Sequence, residues 1–231
     1  MLTIVLASSS PYRRELLLRF KLPFDVFSPD IDETPHRGEK AKDISFRLAR
    51  EKAFKVAPHY ANSLIIGSDQ TAECQNQIIE KPNTHENAVK QLQFLSGKIA
   101  TFYTSLCLLN TKTQQVQECV VDFKVKYKKL NQKIIESYLL KEQPYNCVGS
   151  VMSEGLGITL LEYIKGEDPT ALIGLPLIKL SNMLENEGLA FIVNYNRTNE
   201  LVVDINADYQ PEESEIKSWK LSLLNGSILG I

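Results

Sequence analysis

Several features are missing from this sequence. Its four cysteines, Cys74, Cys107, Cys119 and Cys147, form no C-x-x-C pair. That argues against a zinc ribbon or a thioredoxin-type centre, and for reduced thiols in a cytoplasmic protein. No apolar run is long enough to span a bilayer, and the opening "MLTIVLA" lacks a basic n-region and the length of a signal peptide. Charge of one sign is missing too: 26 basic against 28 acidic residues give a net charge of -2. No global field therefore draws the chain to nucleic acid or an anionic membrane, and any polyanion must meet a local basic cluster. The common catalytic signatures are also absent. There is no H-E-x-x-H or G-x-S-x-G, and "LSGKI" lacks the leading glycine and final hydroxyl of a P-loop. The lone Trp219 and scattered tyrosines make no interleaved basic–aromatic pattern, so no nucleic-acid partner is expected.

What is present interleaves helical and strand patterns, which predicts an α/β protein. Residues 3–6 read as a buried strand, followed by a helix from Pro11 capped by Ser10. "KDISFRLAREKAFKVA" reads as a second helix with Asp43 as N-cap, and Leu64–Ile66 as a short apolar strand ending before Asp69 and Gln70. "NTHENAVKQLQFLSG" is a helix with an Asn83–Glu86 capping box. "TFYTSLCLL" and "ECVVDFKVKY" form an antiparallel pair, so the sheet is mixed. "NQKIIESYLL" is a helix, "EGLGITLLEYI" a strand entered through glycines, and "PLIKLSNMLENEG" a last helix. The expected division is a domain over residues 1–188 and an extension over 189–231. In the extension, 190–205 suggests a hairpin and 212–224 a helix, with no role assigned.

Several segments carry chemistry. "LASSSPYRREL" sets three serines at a helix N-terminus, where free N–H groups and the dipole favour an anion. Arg13, one turn before the apolar Leu17, leans towards the protein and suits bidentate phosphate contact. A capped helix with solvated arginines is the plain alternative. Lys52 shares a four-residue stripe with Ile44, Leu48 and Val56, so it must snorkel, pair with a carboxylate or face a buried anion. Arg47, Arg50 and Lys55 read as solvated. Asp69 and Gln70 follow a buried strand, where open α/β sheets bind ligands. Asp69 could hold a metal, orient water, accept a proton, or simply close an Asx-turn. "PDIDETP" gathers Asp30, Asp32 and Glu33, hard ligands for Mg²⁺ or Mn²⁺ or else a solvated acidic loop. "EKP" supplies Lys81, and "GSVMSEGLG" places Ser150, Ser153 and Glu154 among glycines.

In order along the chain, "LASSSPYRREL", "DIDETP", "RLAREKA", "IIGSDQ", "EKP", "SGKIATFYTSLCL", "YNCVGSVMSEGLGI" and "LIGLPL" resemble the Maf family of nucleoside triphosphate pyrophosphatases. The resemblance covers residues 1 to about 188. "GSDQ" together with "GSxxSEG" looks most like the branch acting on 7-methyl-GTP; the sister branch for dTTP and UTP carries threonine after the aspartate. The resemblance implies a mixed twisted sheet with flanking helices, in a two-lobed Maf/ITPase-like architecture with a central cleft. It implies hydrolysis of a nucleoside triphosphate to monophosphate and pyrophosphate in nucleotide-pool house-cleaning. Asp69 would be the general base. Ser8, Arg13, Lys52 and Lys81 would bind phosphate, Glu33 would bind a divalent metal (Mg²⁺ or Mn²⁺), and Tyr12, Gln70 and Glu154 would select the base. It also suggests a homodimer. Two positions depart from the family: Glu80 stands where glycine is usual, and Val151 where phenylalanine is usual. The alternatives are the pyrimidine-triphosphate activity, or a non-catalytic nucleotide-binding regulator linked to cell division.

Overall fold

The computed structural model describes residues 2–191. Leu2–Leu184 form one compact unit, and a second begins at Glu185. The extension expected over 189–231, with its hairpin and helix, falls almost wholly outside the described residues. Chain order is β1 (Thr3–Ala7), α1 (Pro11–Leu18), β2 (Asp25–Phe27), α2 (Ala41–Val56), β3 (Ser63–Cys74), β4 (Gln77–Ile79), α3 (His85–Leu95), β5 (Ile99–Asn110), β6 (Val116–Tyr127), α4 (Gln132–Glu142), β7 (Leu161–Gly166) and α5 (Leu177–Asn186). Among the described residues no helix is long and apolar enough to cross a membrane.

All seven strands join one mixed sheet, ordered β2-β1-β3-β5-β6-β7, with β4 also on β3. β1 runs parallel to β2 and β3; the other pairings are antiparallel. The alternation read in β6 holds: Val121, Phe123, Val125 and Tyr127 are buried, in a core with α3 and α4 residues such as Leu92 and Leu139. A second core joins β1, α2, β3 and β5 through Val5, Ala53, Ile65 and Cys107. The two packing centres share the long central strands, which gives the expected two-lobed α/β form.

The cleft follows from the register of β3. One edge pairs continuously with β5 from Leu64 to Glu73. The other pairs with β1 only as far as Gly67 and with β4 only from Ala72. Between them the edge is uncovered over Ser68–Thr71. The chain leaving β1 at Ala7 and the chain leaving β4 at Ile79 both run towards this gap. It therefore brings the serine-rich turn and the Glu80–Lys81 segment to Asp69 and Gln70.

Several expected boundaries shift. Asp69 and Gln70 do not follow a strand end. β3 continues to Cys74, because its polar stretch stays hydrogen-bonded to β5. Lys40, not Asp43, is the N-cap of α2, and Asp43 sits in its first turn. α3 is capped by Thr84, whose side chain accepts from the Asn87 N–H, in place of the Asn83–Glu86 box. "EGLGITL" forms a 3₁₀ turn before β7, since its glycines break the extended run.

Candidate functional site

Helix α1 starts where the sequence says it should. Ser10 has extended backbone angles and its side chain accepts from the Arg13 N–H, while Pro11 occupies the first turn. The Ser8 hydroxyl oxygen accepts from the Ser10 N–H at 3.1 Å and from Arg13 Nη1 at 3.3 Å. Arg13 Nε donates to the Gly174 carbonyl at 2.8 Å. The guanidinium is thus fixed at two points, facing the cleft and not bulk water. Burial lowers its pKa, opposed by the nearby Asp69 and Glu33 carboxylates.

Lys52 settles its alternatives. It is 6% exposed, and its ammonium donates to Asp69 Oδ1 and pairs with Glu33 Oε1, each at 2.6 Å. The helix can bring it this close because Gly67 has no side chain: a Cβ there would overlap the Ala49 carbonyl oxygen and press on Ala53. Asp69 is 7% exposed. Glu33 is more open, with 53% of its side chain accessible. Burial alone would raise the Glu33 carboxyl, but the Lys52 hydrogen bond and charge, with Lys81 and Arg13 further off, bring it below its ordinary value. Lys81 is exposed at the cleft and forms no ion pair among the described residues.

One cleft of about 590 Å³ is lined by all nine residues to which the family resemblance gives a role: Ser8, Tyr12, Arg13, Glu33, Lys52, Asp69, Gln70, Lys81 and Glu154. Glu80 and Val151, the two family departures, line it as well. Asp30 and Asp32 do not. Asp32 instead accepts from the Thr34 N–H at 2.9 Å, shaping the loop. Ser150 is fully buried, and its hydroxyl bonds Gln91.

Gln70 is turned by its surroundings. Its Nε2 donates towards Thr104 Oγ1 and the Ala171 and Leu172 carbonyls, at 2.9–3.0 Å. Carbonyls only accept, so the nitrogen must face inward and the amide oxygen is left for the cleft. Tyr12 lines the same cleft. Its phenol is pushed up to about 12 by burial, by contact with the Cys147 thiol at 3.7 Å, and by the Glu154 and Glu142 carboxylates.

Two supporting residues escaped the sequence reading. Arg47 is not solvated: it binds Glu39 at 2.7 and 2.8 Å, pairs with Glu51 and donates to the Thr34 carbonyl. It therefore fastens the Glu33 loop to α2, and its hydrogen bonds, helped by the His36 N–H and its own charge, hold the Glu39 carboxyl at about 2. The Glu51 four residues on was the available signal. Asp168 is fully buried and accepts from the Thr170 N–H and hydroxyl and from the N–H groups of Ile178 and Lys179. It caps α5 and anchors the loop whose carbonyls grip Arg13, Ser68, Gln70 and Thr104. "DPT" is an Asx-turn signal that could have shown it.

Asp69 and Glu33 are hard oxygen donors of the type that Mg²⁺-class ions take. Among the described residues no group of three or more His, Cys, Asp or Glu could hold a metal. Two carboxylates converge on one ammonium, however, and such ions commonly use one or two carboxylates plus substrate phosphates.

Fold and site together define a mixed α/β protein with a cleft that gathers Arg13, Lys52 and Lys81 around a buried aspartate. The chain belongs to the Maf family, whose description, Maf-like protein, matches residues 3–187. It is 52% identical over 189 residues to the 7-methyl-GTP pyrophosphatase of Methylobacillus flagellatus, covering 82% of this chain and 98% of that one. The 7-methyl-GTP pyrophosphatase of Pseudomonas aeruginosa is 47% identical, with 80% and 97% covered. A solved HAM1 protein from Coxiella burnetii is 15% identical with a TM-score of 0.39, covering 57% of this chain and 76% of that one, a match too partial to bear on the fold.

Proposed function

We propose that this chain hydrolyses 7-methyl-GTP to 7-methyl-GMP and pyrophosphate. The observation that carries the reading is the Lys52 ammonium held 2.6 Å from both Asp69 and Glu33, in a cleft that also gathers Arg13 and Lys81. A triphosphate brings about four negative charges, and cations preorganised in a partly dry site stabilise charge that develops on phosphoryl transfer. Asp69 takes a proton from the attacking water. The water oxygen bonds to the α-phosphorus, and the bond from that phosphorus to the α,β-bridging oxygen breaks, releasing pyrophosphate. Lys52 holds Asp69 aimed through its 2.6 Å hydrogen bond. Arg13, Lys81 and the Ser8 hydroxyl hold the phosphates. Glu33 would hold Mg²⁺ or Mn²⁺, which would supply charge neutralisation and lower the pKa of bound water.

At the other end of the cleft the base meets acceptors. The Gln70 amide oxygen and the Glu154 carboxylate suit the N1–H and amino donors of guanine. Tyr12 offers a face for the cationic ring that N7-methylation creates. The relatives named for 7-methyl-GTP support this choice over a pyrimidine triphosphate. The four cysteines are free, which fits a reducing compartment such as the cytoplasm. A panel of nucleotides assayed for released pyrophosphate, with and without chelator, tests the reading. Preference for 7-methyl-GTP and loss of turnover in chelator are expected. Equal kcat/KM for GTP and 7-methyl-GTP, or faster turnover of dTTP and UTP, refutes it.

A further inference from the structure

Neither Ser150 nor Gln91 lines the cleft, yet both are tied to segments that do. Ser150 is fully buried and holds a left-handed backbone, φ 52°, directly after Gly149 at 71°. A residue with a Cβ adopts that region only at a cost, so its surroundings must hold it there. Two bonds do so. The Ser150 N–H donates to the Cys147 carbonyl at 3.1 Å, and its hydroxyl donates to Gln91 Oε1, on α3, at 2.5 Å. Cys147, Val148, Val151 and Glu154, on either side of this left-handed pair, line the cleft.

The nitrogen of the same amide holds a second stretch of cleft wall. Gln91 Nε2 donates to the Glu80 carbonyl at 2.9 Å, and Glu80 and Lys81 both line the cleft. Residues 80–83 follow β4 without regular structure. Asn87, one turn before Gln91, donates to the Pro82 carbonyl at 3.1 Å, and the Asn83 N–H donates to the Tyr145 carbonyl at 2.9 Å. Lys81 is exposed and forms no ion pair among the described residues, so its aim depends on the peptide it starts from. The Gln91 amide can face only one way: a carbonyl only accepts, so the nitrogen faces Glu80 and the oxygen is left for the Ser150 proton. One side chain thereby spans from the peptide before Lys81 to the turn before Glu154.

We infer that Gln91 is a positioning residue: it sets the Lys81 segment against the 147–154 turn, and so fixes the phosphate-gripping ammonium relative to the wall that meets the base. This rests on the proposed nucleotide reading and adds to it a residue outside the cleft.

Three variants separate the two bonds. Gln91→Glu keeps the size and the acceptor for Ser150 but offers the Glu80 carbonyl no donor. Gln91→Met removes both bonds without adding charge. Ser150→Ala gives up the hydroxyl and leaves Nε2 on Glu80. Each is read by titration with tripolyphosphate in chelator, and by kcat/KM for 7-methyl-GTP and GTP in Mg²⁺. Both Gln91 variants should bind tripolyphosphate about ten-fold more weakly, the loss of one hydrogen bond to a charged group. Lys81→Met should cost the parent a similar factor and cost little more in the Gln91→Glu background, because Gln91 acts through Lys81. Ser150→Ala should leave tripolyphosphate affinity as in the parent and lower the ratio of kcat/KM for 7-methyl-GTP over GTP. Losses from Gln91→Glu and Lys81→Met that add in full, or Gln91 variants that lose melting temperature alone, would make Gln91 structural only and overturn the inference. An unchanged ratio in Ser150→Ala would overturn the link to the turn. A parent with no preference for 7-methyl-GTP would refute the proposed substrate; the tripolyphosphate cycle involves no base and still decides whether Gln91 acts through Lys81.

Discussion

Replacing Lys52 by methionine keeps the length of the side chain and removes the cation between two carboxylates. Both carboxylate oxygens lie 2.6 Å from Nζ, so they are close neighbours. At a separation of about 5 Å and an effective dielectric near 20, the exposed repulsion is about 3 kcal/mol. Glu33 has 53% of its side chain accessible, so water screens this to about 1–2 kcal/mol. In the parent, the net effect of burial and Lys52 holds the Glu33 carboxyl low. Its contribution to stability is therefore complete above its unfolded value of ~4.3 and lost as pH falls through the folded value. In Lys52→Met the raising influences of burial and the neighbouring charge are opposed only by Lys81 and Arg13. The group then opposes folding at neutral pH, and protonation relieves it. Thermal unfolding of both proteins from pH 4 to 8 reads this directly. The Tm gap should be widest near pH 7 and close towards pH 4, and Mn²⁺ should narrow it at pH 7 by taking the place of the ammonium. Turnover at pH 7 should fall by 10²-fold or more, since Asp69 loses its aim, an estimate at the low end of what positioned groups contribute. A gap independent of pH, or turnover within a few-fold of the parent, would show that the Glu33–Lys52–Asp69 triad does not hold the reacting groups.

Asp69→Asn should lose about 10²–10⁴ in kcat while still binding substrate, as measured by nucleotide titration; loss of binding as well would make it a metal ligand and not the base. Arg13→Lys keeps the charge but gives up the Nε bond to Gly174 and the fork that reaches Ser8, so KM should rise by about ten-fold or more. Glu154→Gln should lower the ratio of kcat/KM for 7-methyl-GTP over GTP, while pyrophosphate inhibition, which reads the phosphate end, stays as in the parent. Gly67→Ala should cost about 1–3 kcal/mol in chemical denaturation, because the added methyl meets the backbone of α2. It should also slow turnover beyond the stability loss, since the displaced helix carries Lys52; full activity at normal stability would mean the helix does not need so close an approach.

Residue types that can do only one thing were the legible ones. Ser10 before Pro11 fixed a helix start, and the alternation from Val121 to Tyr127 fixed a buried strand face, because local geometry alone decides both. Polar residues inside a strand were not legible. Asp69 and Gln70 read as a strand end, since nothing local shows that β5 pairs with them for their full length. Arg47 read as solvated for the same reason: its partner Glu39 lies in the loop before α2, and only tertiary structure folds that loop back. The consequence reaches the chemistry. A strand end would leave Asp69 on a flexible turn, free to meet solvent. A strand interior, paired on one edge and bare on the other from Ser68 to Thr71, holds the carboxylate rigid while leaving its side of the sheet open to substrate. A single interruption in edge pairing thus supplies both the space for a polyphosphate and the fixed frame that acid–base chemistry within it requires.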